Sequence, residues 1–500
     1  MDYFGHMNRR NWLRKNSFSL GAVAFPWLLK KDGLLANQND SDPVKPDLES
    51  VSHDLLAKKP PIAPKAKAMI SMYMLGGPSQ IDLFDPKPDL IKLNGKEFTG
   101  KLKFDNAAQA SREIMGPIWK FNKYGESGME ISELLPHLGK IADDITLIRS
   151  MRTGSNNHVP SNFALTTGKP IHGRPVLGSW LLKALGSETQ DLPSYVALTD
   201  PRGLPQEGKS NWSQGNLPAI YQGTVVRPTD PRIFNLDPPK HLAGKPQEAQ
   251  LNFLKDFNQR HLIKHPGENE LEARMASYGL AARMQEAAKE AFDVSSEPES
   301  IKSMYGLNEK RTKDYGTRCL IARRLVERGV RFVQIFCSGQ NWDHHGSIKT
   351  ALPDRCGEID QPAAALIKDL KQRGLLDTTI VHWGGEMGRL PVIQFRQGLK
   401  NRDAVGRDHN TYGFSQWVAG GGFKGGYVHG KTDEFSHYAV EGTVNHYDWL
   451  ATVLHLFGLD HQNLKYRNGP NDIGWLRKLM RESFKSFYHK ALVDLVHCLS

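Results

Sequence analysis

Asp82, His158, the run Asp343-His344-His345, Glu386 and His409 are the side chains in this sequence whose types suit cation binding or work on an anionic ester. Carboxylate oxygens together with imidazole nitrogens suit zinc, manganese or iron, whereas an all-oxygen subset would suit magnesium or calcium. Two such ions a few ångströms apart would stabilise the entering and leaving oxygens when a phosphate or sulfate ester is hydrolysed. The Asp-His-His triplet is the most specific piece, and its plain alternative is a histidine pair at the next helix start or on the surface. Arg389 and Arg407 flank Glu386 and His409 in the same region of the chain.

These residues need elements that gather them. Thr378 to Val381 is β-branched and reads as a short buried strand, stopped by Gly384 and Gly385 just before Glu386. Glu386 then sits at the carboxyl end of a strand, the rim where ligands bind in open parallel α/β sheets. Ala68 to Leu75 is a near-continuous apolar run ending in Gly76-Gly77-Pro78, as in a central strand buried on both faces, and Asp82 and Asp85 follow it. A helix over Ile131 to Ile141 leads to a strand over Ile145 to Ile148 and the polar loop Arg152 to His158. A helix over Tyr315 to Glu327 and a strand over Val330 to Phe336 empty into Asn341 to Gly346, and a helix over Gln361 to Arg373 returns the chain to the strand before Glu386. Each candidate side chain thus lies in a loop reached from a strand.

The remaining segments are less chemical. Residues 185–267 are rich in Pro, Gly and Asn and read as an irregular cap insertion over the site. From Glu268 to Phe292 the composition is helical, with Leu271, Met275 and Tyr278 on one core-facing stripe. Gly420 to Gly426, with Lys424 inside, lacks the spacing of a nucleotide loop and reads as a turn packed near the site.

A chain of 500 residues with 39% hydrophobic content can bury a full core. Its net charge of +11 is dispersed, without the aromatic and basic interleaving of a nucleic-acid surface, so nucleic acid is not expected as a partner. Cys319, Cys337, Cys356 and Cys498 have no metal-ligand spacing. Asn8-Arg9-Arg10-Asn11-Trp12-Leu13-Arg14-Lys15 precedes an apolar stretch, Ser17 to Leu29, too short to span a bilayer comfortably. This resembles a twin-arginine export signal, so residues 1–36 are expected to direct export to the periplasm or beyond, with 37–65 as a linker. No other long apolar segment exists, and no transmembrane segment is expected in the mature chain.

Longer runs carry a family resemblance. Gly76-Gly77-Pro78-Ser79-Gln80-Ile81-Asp82-Leu83-Phe84-Asp85-Pro86-Lys87-Pro88, Cys319 to Val333, Trp342-Asp343-His344-His345, Gly385-Glu386-Met387-Gly388-Arg389, Gly406-Arg407-Asp408-His409 and Ala419-Gly420-Gly421-Gly422 resemble the large bacterial family of unknown function called DUF1501. The resemblance runs from about Ala66 to Tyr466, and 467–500 reads as a divergent tail. It implies an alkaline-phosphatase-like α/β/α sandwich with a mostly parallel central sheet and metal-bound hydrolytic sites, in a family whose members are often labelled sulfatases.

The sulfatase label can be tested on one loop. His158-Val159-Pro160-Ser161-Asn162-Phe163-Ala164-Leu165-Thr166-Thr167-Gly168 is similar in spacing to the type-I sulfatase nucleophile motif, but His158 stands where Cys or Ser becomes formylglycine, and Asn162 replaces an arginine. Histidine cannot make that conversion. Three roles stay open for His158: metal ligand, nucleophile, or general acid/base beside an activated water. Gly76-Gly77 also stands where sulfatases place paired aspartates, leaving Asp82 as the substitute. The expected ligands of one or more divalent ions (Zn, Mn, Ca or Mg) are Asp82, Asp343, His345, Glu386 and His409. Arg389 and Arg407 would hold an anionic ester or a sulfated polysaccharide through their planar forks, or equally form internal ion pairs, and Asn162 would contact substrate. The expected function is an exported metal-dependent hydrolase of sulfate or phosphate esters. A non-catalytic metal- or polysaccharide-binding protein is the alternative.

Overall fold

Nine strands make the central sheet: β1 (Ala68–Tyr73), β2 (Ile145–Arg152), β3 (Tyr195–Leu198), β4 (Thr224–Val226), β5 (Phe332–Phe336), β6 (Thr379–Gly384), β7 (Phe414–Ala419), β8 (Tyr427–His429) and β9 (Val444–Asn445). Their order is β8-β2-β7-β6-β1-β5-β3-β4, with β9 also paired to β2. The computed structural model describes residues 55–100, 110–234, 236–264, 269–394, 402–468 and 471–474. The export-signal segment 1–36, most of the 37–65 linker and residues 475–500 lie outside them. All nine strands belong to one of two compact units, the one formed by His53–Arg260 and Asn269–Ser500.

Every neighbouring pair in the sheet is parallel except those made by β7, which is antiparallel to both β2 and β6. The register aligns strand ends: Tyr73, the last residue of β1, lies opposite Phe336 of β5 and Gly384 of β6. Alternation along β1 then builds the layers. Ile70 and Met72 join a core with α3 (Lys313–Glu327) and α4 (Ile348–Gln372), whereas Met69 and Tyr73 join the opposite core with α2 (Leu177–Leu185) and α5 (His446–Leu456). Helix α1 (His158–Thr167) adds Leu165 to that second core. The result is the expected α/β class, a mostly parallel sheet between helical layers. No helix among the described residues is long and apolar enough to cross a membrane.

Several expectations about elements need correction. The segment 185–267 supplies β3, buried throughout, and β4 to the main sheet, so part of it is core rather than cap. The expected helix over Ile131 to Ile141 is instead a strand, Met129–Ser132, followed by a single turn at Pro136–Gly139. In the helix Asn269–Phe292, Tyr278 is 51% exposed, and the buried stripe is Ala273, Met284, Ala288, Ala291 and Phe292. That stripe lies about 130° around the helix from Leu271, Met275 and Tyr278. The turn after β7 is not near the ligand rim: Gly421 N–H donates to Leu376 O beside the start of β6, at the other end of the sheet. From Lys465 on, Lys465–Asn468 and Asn471–Gly474 pair antiparallel, so the segment read as a divergent tail begins with paired strands.

Candidate metal centre

Because β1, β2, β5 and β6 run the same way, the segments leaving them emerge at one rim. β1 delivers Gly76 and Gly77, β5 delivers the loop to His345, β6 delivers Glu386, and β2 delivers the loop capped by Asn157, whose side chain accepts from Val159 N to start α1 at His158. β7 runs the other way, so the strand preceding it, Gly406–Asn410, reaches the same rim and brings His409. That strand pairs with Gly388–Gln394, with His409 opposite Arg389.

Four side chains converge there. His158, Asp343, His345 and His409 each offer a ligand atom, all within 4.8 Å of one another. Asp343 Oδ1 lies 2.9 Å from His345 Nε2, 3.3 Å from His409 Nε2 and 3.4 Å from His158 Nε2. A tetrahedral ion with bonds of about 2.0–2.1 Å has ligand-to-ligand edges of about 3.4 Å, so the spacing is of the right size for such an ion. His158 Nε2 is buried and, despite its approach to Asp343, has no hydrogen-bond partner.

What lies behind the imidazoles sets their tautomers. His158 Nδ1 is 2.6 Å from Glu386 Oε1, His409 Nδ1 is 2.9 Å from the Asn156 carbonyl, and His345 Nδ1 makes a short contact with Gln394 Oε1. Each acceptor takes a proton from Nδ1 and leaves a lone pair on Nε2 pointing at the cluster, the arrangement that orients metal-binding histidines. Glu386 is fully buried, and its Oε1 also accepts from Gly76 N–H at 2.9 Å. A Cβ on Gly76, whose φ is +109°, would strike Asp343 N, so glycine is required for β1's loop to pass the Asp343 loop this closely.

Electrostatics tighten the cluster. Burial pushes the Asp343 carboxyl up, but the Arg389 charge and the three imidazoles outweigh it and hold the group well below the usual carboxylate range. Burial would lower His158, yet its contacts to Asp343 and Glu386 raise it to about 9. Burial, reinforced by Arg389, lowers His344 to about 3; this neighbour of the triplet is buried with both ring nitrogens unpartnered, and His345 alone of the pair faces the cluster.

The expected ligands and anion-binding groups divide. Asp343, His345 and His409 are brought together, and His158 joins them. Glu386, expected as a ligand, stands behind His158 as its hydrogen-bond acceptor. Asp82 is not in the group: its oxygens lie 2.9 and 3.1 Å from Arg407 Nε and Nη2, and it also accepts from Ser79 Oγ and Ile118 N. Arg407, fully buried, spends its other donor contacts on the carbonyls of Met115, Gly116 and Leu390. Arg389 is equally enclosed, donating to Gly76 O, Gly77 O, Trp342 O, Arg407 O and, at 2.7 Å, Asp343 Oδ1. Both forks are filled by the protein and do not reach out to an ester. Asn162, one helical turn after His158, donates to Asn211 Oδ1 at 2.7 Å and keeps its own buried Oδ1 unpartnered. Sequence reasoning missed the supports Asn156 and Gln394, since a backbone carbonyl and a strand-end amide carry no signal of their own.

No curated protein sequence matches the chain. Among solved structures, it is similar to the PsFucS1 sulfatase from Pseudoalteromonas sp. at 14% identity, covering 80% of this chain and 68% of that one with a TM-score of 0.33. It is similar to the phosphonate monoester hydrolase SpPMH from Silicibacter pomeroyi at 12% identity, covering 79% and 73% with a TM-score of 0.31. It is also similar to the lipoteichoic acid synthase LtaP from Listeria monocytogenes at 10% identity, covering 84% and 78% with a TM-score of 0.33. The model of one family, described as "Protein of unknown function (DUF1501)", matches residues 66–481 and so extends past Tyr466 into the segment read as a divergent tail. With most of its length matched, the chain belongs to the DUF1501 family.

Proposed function

We propose that this protein hydrolyses sulfate or phosphate esters with a divalent metal ion held by His158, Asp343, His345 and His409. The observation that carries the reading is the set of three imidazoles whose Nδ1 atoms are each committed to an acceptor while their Nε2 atoms face one carboxylate oxygen. A bound cation would supply Lewis acidity, polarising an ester oxygen and making water a stronger acid. Three nitrogens and one oxygen favour zinc, manganese or iron over magnesium or calcium.

The chain's own groups prepare this chemistry. Glu386 keeps the proton on His158 Nδ1, Gly76 N–H fixes Glu386, and Arg389 keeps Asp343 ionised. Water is the attacking group in this reading, because His158 cannot become formylglycine and the nearby Ser161 hydroxyl is bound to Ser155 O and Thr153 Oγ1. Asn162, expected to contact substrate, is enclosed one helical turn after His158, with its amide donated to Asn211 and its Oδ1 unpartnered. The twin-arginine-like leader supports export to the periplasm or the cell exterior, and a protein carrying Arg9→Lys and Arg10→Lys should stay in the cytoplasmic fraction.

One observation favours a second reading, a metal-binding protein without turnover: Arg389 and Arg407, the expected anion clamps, are filled by internal bonds. Elemental analysis of the purified protein, then a screen of sulfate and phosphate esters against His158→Ala and His409→Ala, separates the cases. Stoichiometric metal with turnover lost in both variants supports the hydrolase; metal without turnover supports the binder; protein without metal sinks both.

A further inference from the structure

The far end of α1 and the start of α5 form a cationic group with no counter-charge. Lys169 Nζ stands over the Tyr447 ring, 6.0 Å from its centroid, and the Tyr447 and His446 ring centroids are 4.0 Å apart with the planes tilted by 41°. His446 is 9% exposed and neither ring nitrogen has a partner. Arg174 Nε is buried without a partner, and neither Arg174 nor Lys169 forms an ion pair among the described residues. Burial, with the Arg174 charge added, lowers Lys169, and burial, with the Lys169 charge added, lowers His446 to about 4, so His446 stands there as a neutral ring.

Nearby carboxylates are engaged elsewhere. Asp448 faces the Asn445 amide as half of the capping box of α5, and Glu207 lies 3.6 Å from His172. Like charges brought together on a partly buried surface repel one another, and buried donors left open carry a desolvation cost. An oxyanion in their midst relieves both, and the positive end of the α5 dipole adds to the field. Tyr447 offers an aromatic face beside the charges.

We propose that Lys169, Arg174, His446 and Tyr447 form a subsite for a sulfate or phosphate group carried by the substrate at a distance from the group that reacts. α1 links this subsite to the metal centre, with His158 at its first residue and Lys169 two residues beyond its last. Ten helical residues span about 15 Å, so a molecule occupying both places carries anionic groups several sugar or polyol units apart. This assigns a polyanionic polymer, rather than a small monoester, as the substrate class, and rests on the hydrolase reading for the word substrate but not for the binding itself.

Calorimetric titration of the full chain with sodium sulfate, dextran sulfate and unsulfated dextran tests the assignment. Dextran sulfate should bind more tightly than sodium sulfate, and dextran should not bind. Lys169→Gln and Arg174→Gln should each weaken dextran sulfate about tenfold or more, the loss of one charge-assisted contact, with melting temperature unchanged, while the exposed-lysine control Lys96→Ala should leave affinity as it was. Equal affinity in Lys169→Gln, Arg174→Gln and wild type overturns the subsite, as does an equal loss in Lys96→Ala. Binding of sodium sulfate with no preference for dextran sulfate overturns the polymer assignment. His409→Ala should keep the Lys169-dependent affinity: a metal-free, inactive wild type that still shows it sinks the hydrolase reading and leaves the subsite standing.

Discussion

Asp82 and Asp343 share a side chain and differ entirely in role. Asp82 is sealed against Arg407 with neither group exposed, so Asp82→Ala leaves a buried guanidinium uncompensated and should cost about 3–5 kcal/mol of stability. Chemical denaturation measures that loss, and metal stoichiometry should be unchanged in whatever fraction stays folded. Asp343→Asn should reduce bound metal and also cost some stability, because it leaves the buried Arg389 without a charged partner while keeping an acceptor oxygen. Glu386→Gln keeps an acceptor oxygen beside His158 but loses its charge; it should weaken metal affinity about 10–100-fold, read by competition with a chelating dye. The residue types were legible in the sequence, and the partners were not. Arg407 meets Asp82 across 325 positions, and nothing local to either residue says which acid a buried arginine will choose. The same blindness hid the division between His158, which faces the cluster, and Glu386, which stands behind it, because either residue type could bind a cation and only the fold decides which atom faces the cluster.

Among elements, the strands that feed the rim were legible because buried parallel strands read as apolar runs closed by glycine: β1, β5 and β6 lie within two or three residues of their expected bounds. β3 and β4 were not, since four and three residues inside a Pro- and Gly-rich stretch are too short for a periodic signal. α4 starts at Ile348, well before the expected Gln361, because Pro353 and Pro362 lie inside it and prolines read as boundaries. The loop leaving β1 gives a direct test of close approach. Gly76→Ala adds strain of about 1–3 kcal/mol at its positive φ and pushes on the Asp343 backbone, so bound metal should fall further than melting temperature suggests. β6 carries a second titratable group away from the ligands: His382, fully enclosed between Ser71, Gln416 and Trp449, is lowered by burial to about 4. Its folded value lies below the unfolded value of about 6.5, so the unfolded chain binds the extra proton and stability falls as pH drops from about 6.5 towards 4. Replacing it, His382→Gln, should flatten the stability curve in that window by about one proton, measured by denaturation at a series of pH values.

For the whole molecule, chain direction decides where the chemistry can lie. Four parallel strands send their outgoing loops to one rim, and the reversed β7 sends its incoming segment there as well, so four side chains from three separate segments meet while the glycine turn after β7 falls at the other end. His409 is the last of the four to be synthesised. At about 5–20 residues per second it follows His158 out of the ribosome by roughly 10–50 s, and β7, which anchors its segment, comes later still. On the proposed reading cation capture would therefore be a late event in biogenesis: a nascent chain stalled before residue 409 holds three donors of the four, and a metal-free pool should accumulate wherever translation between residues 345 and 409 is slowed.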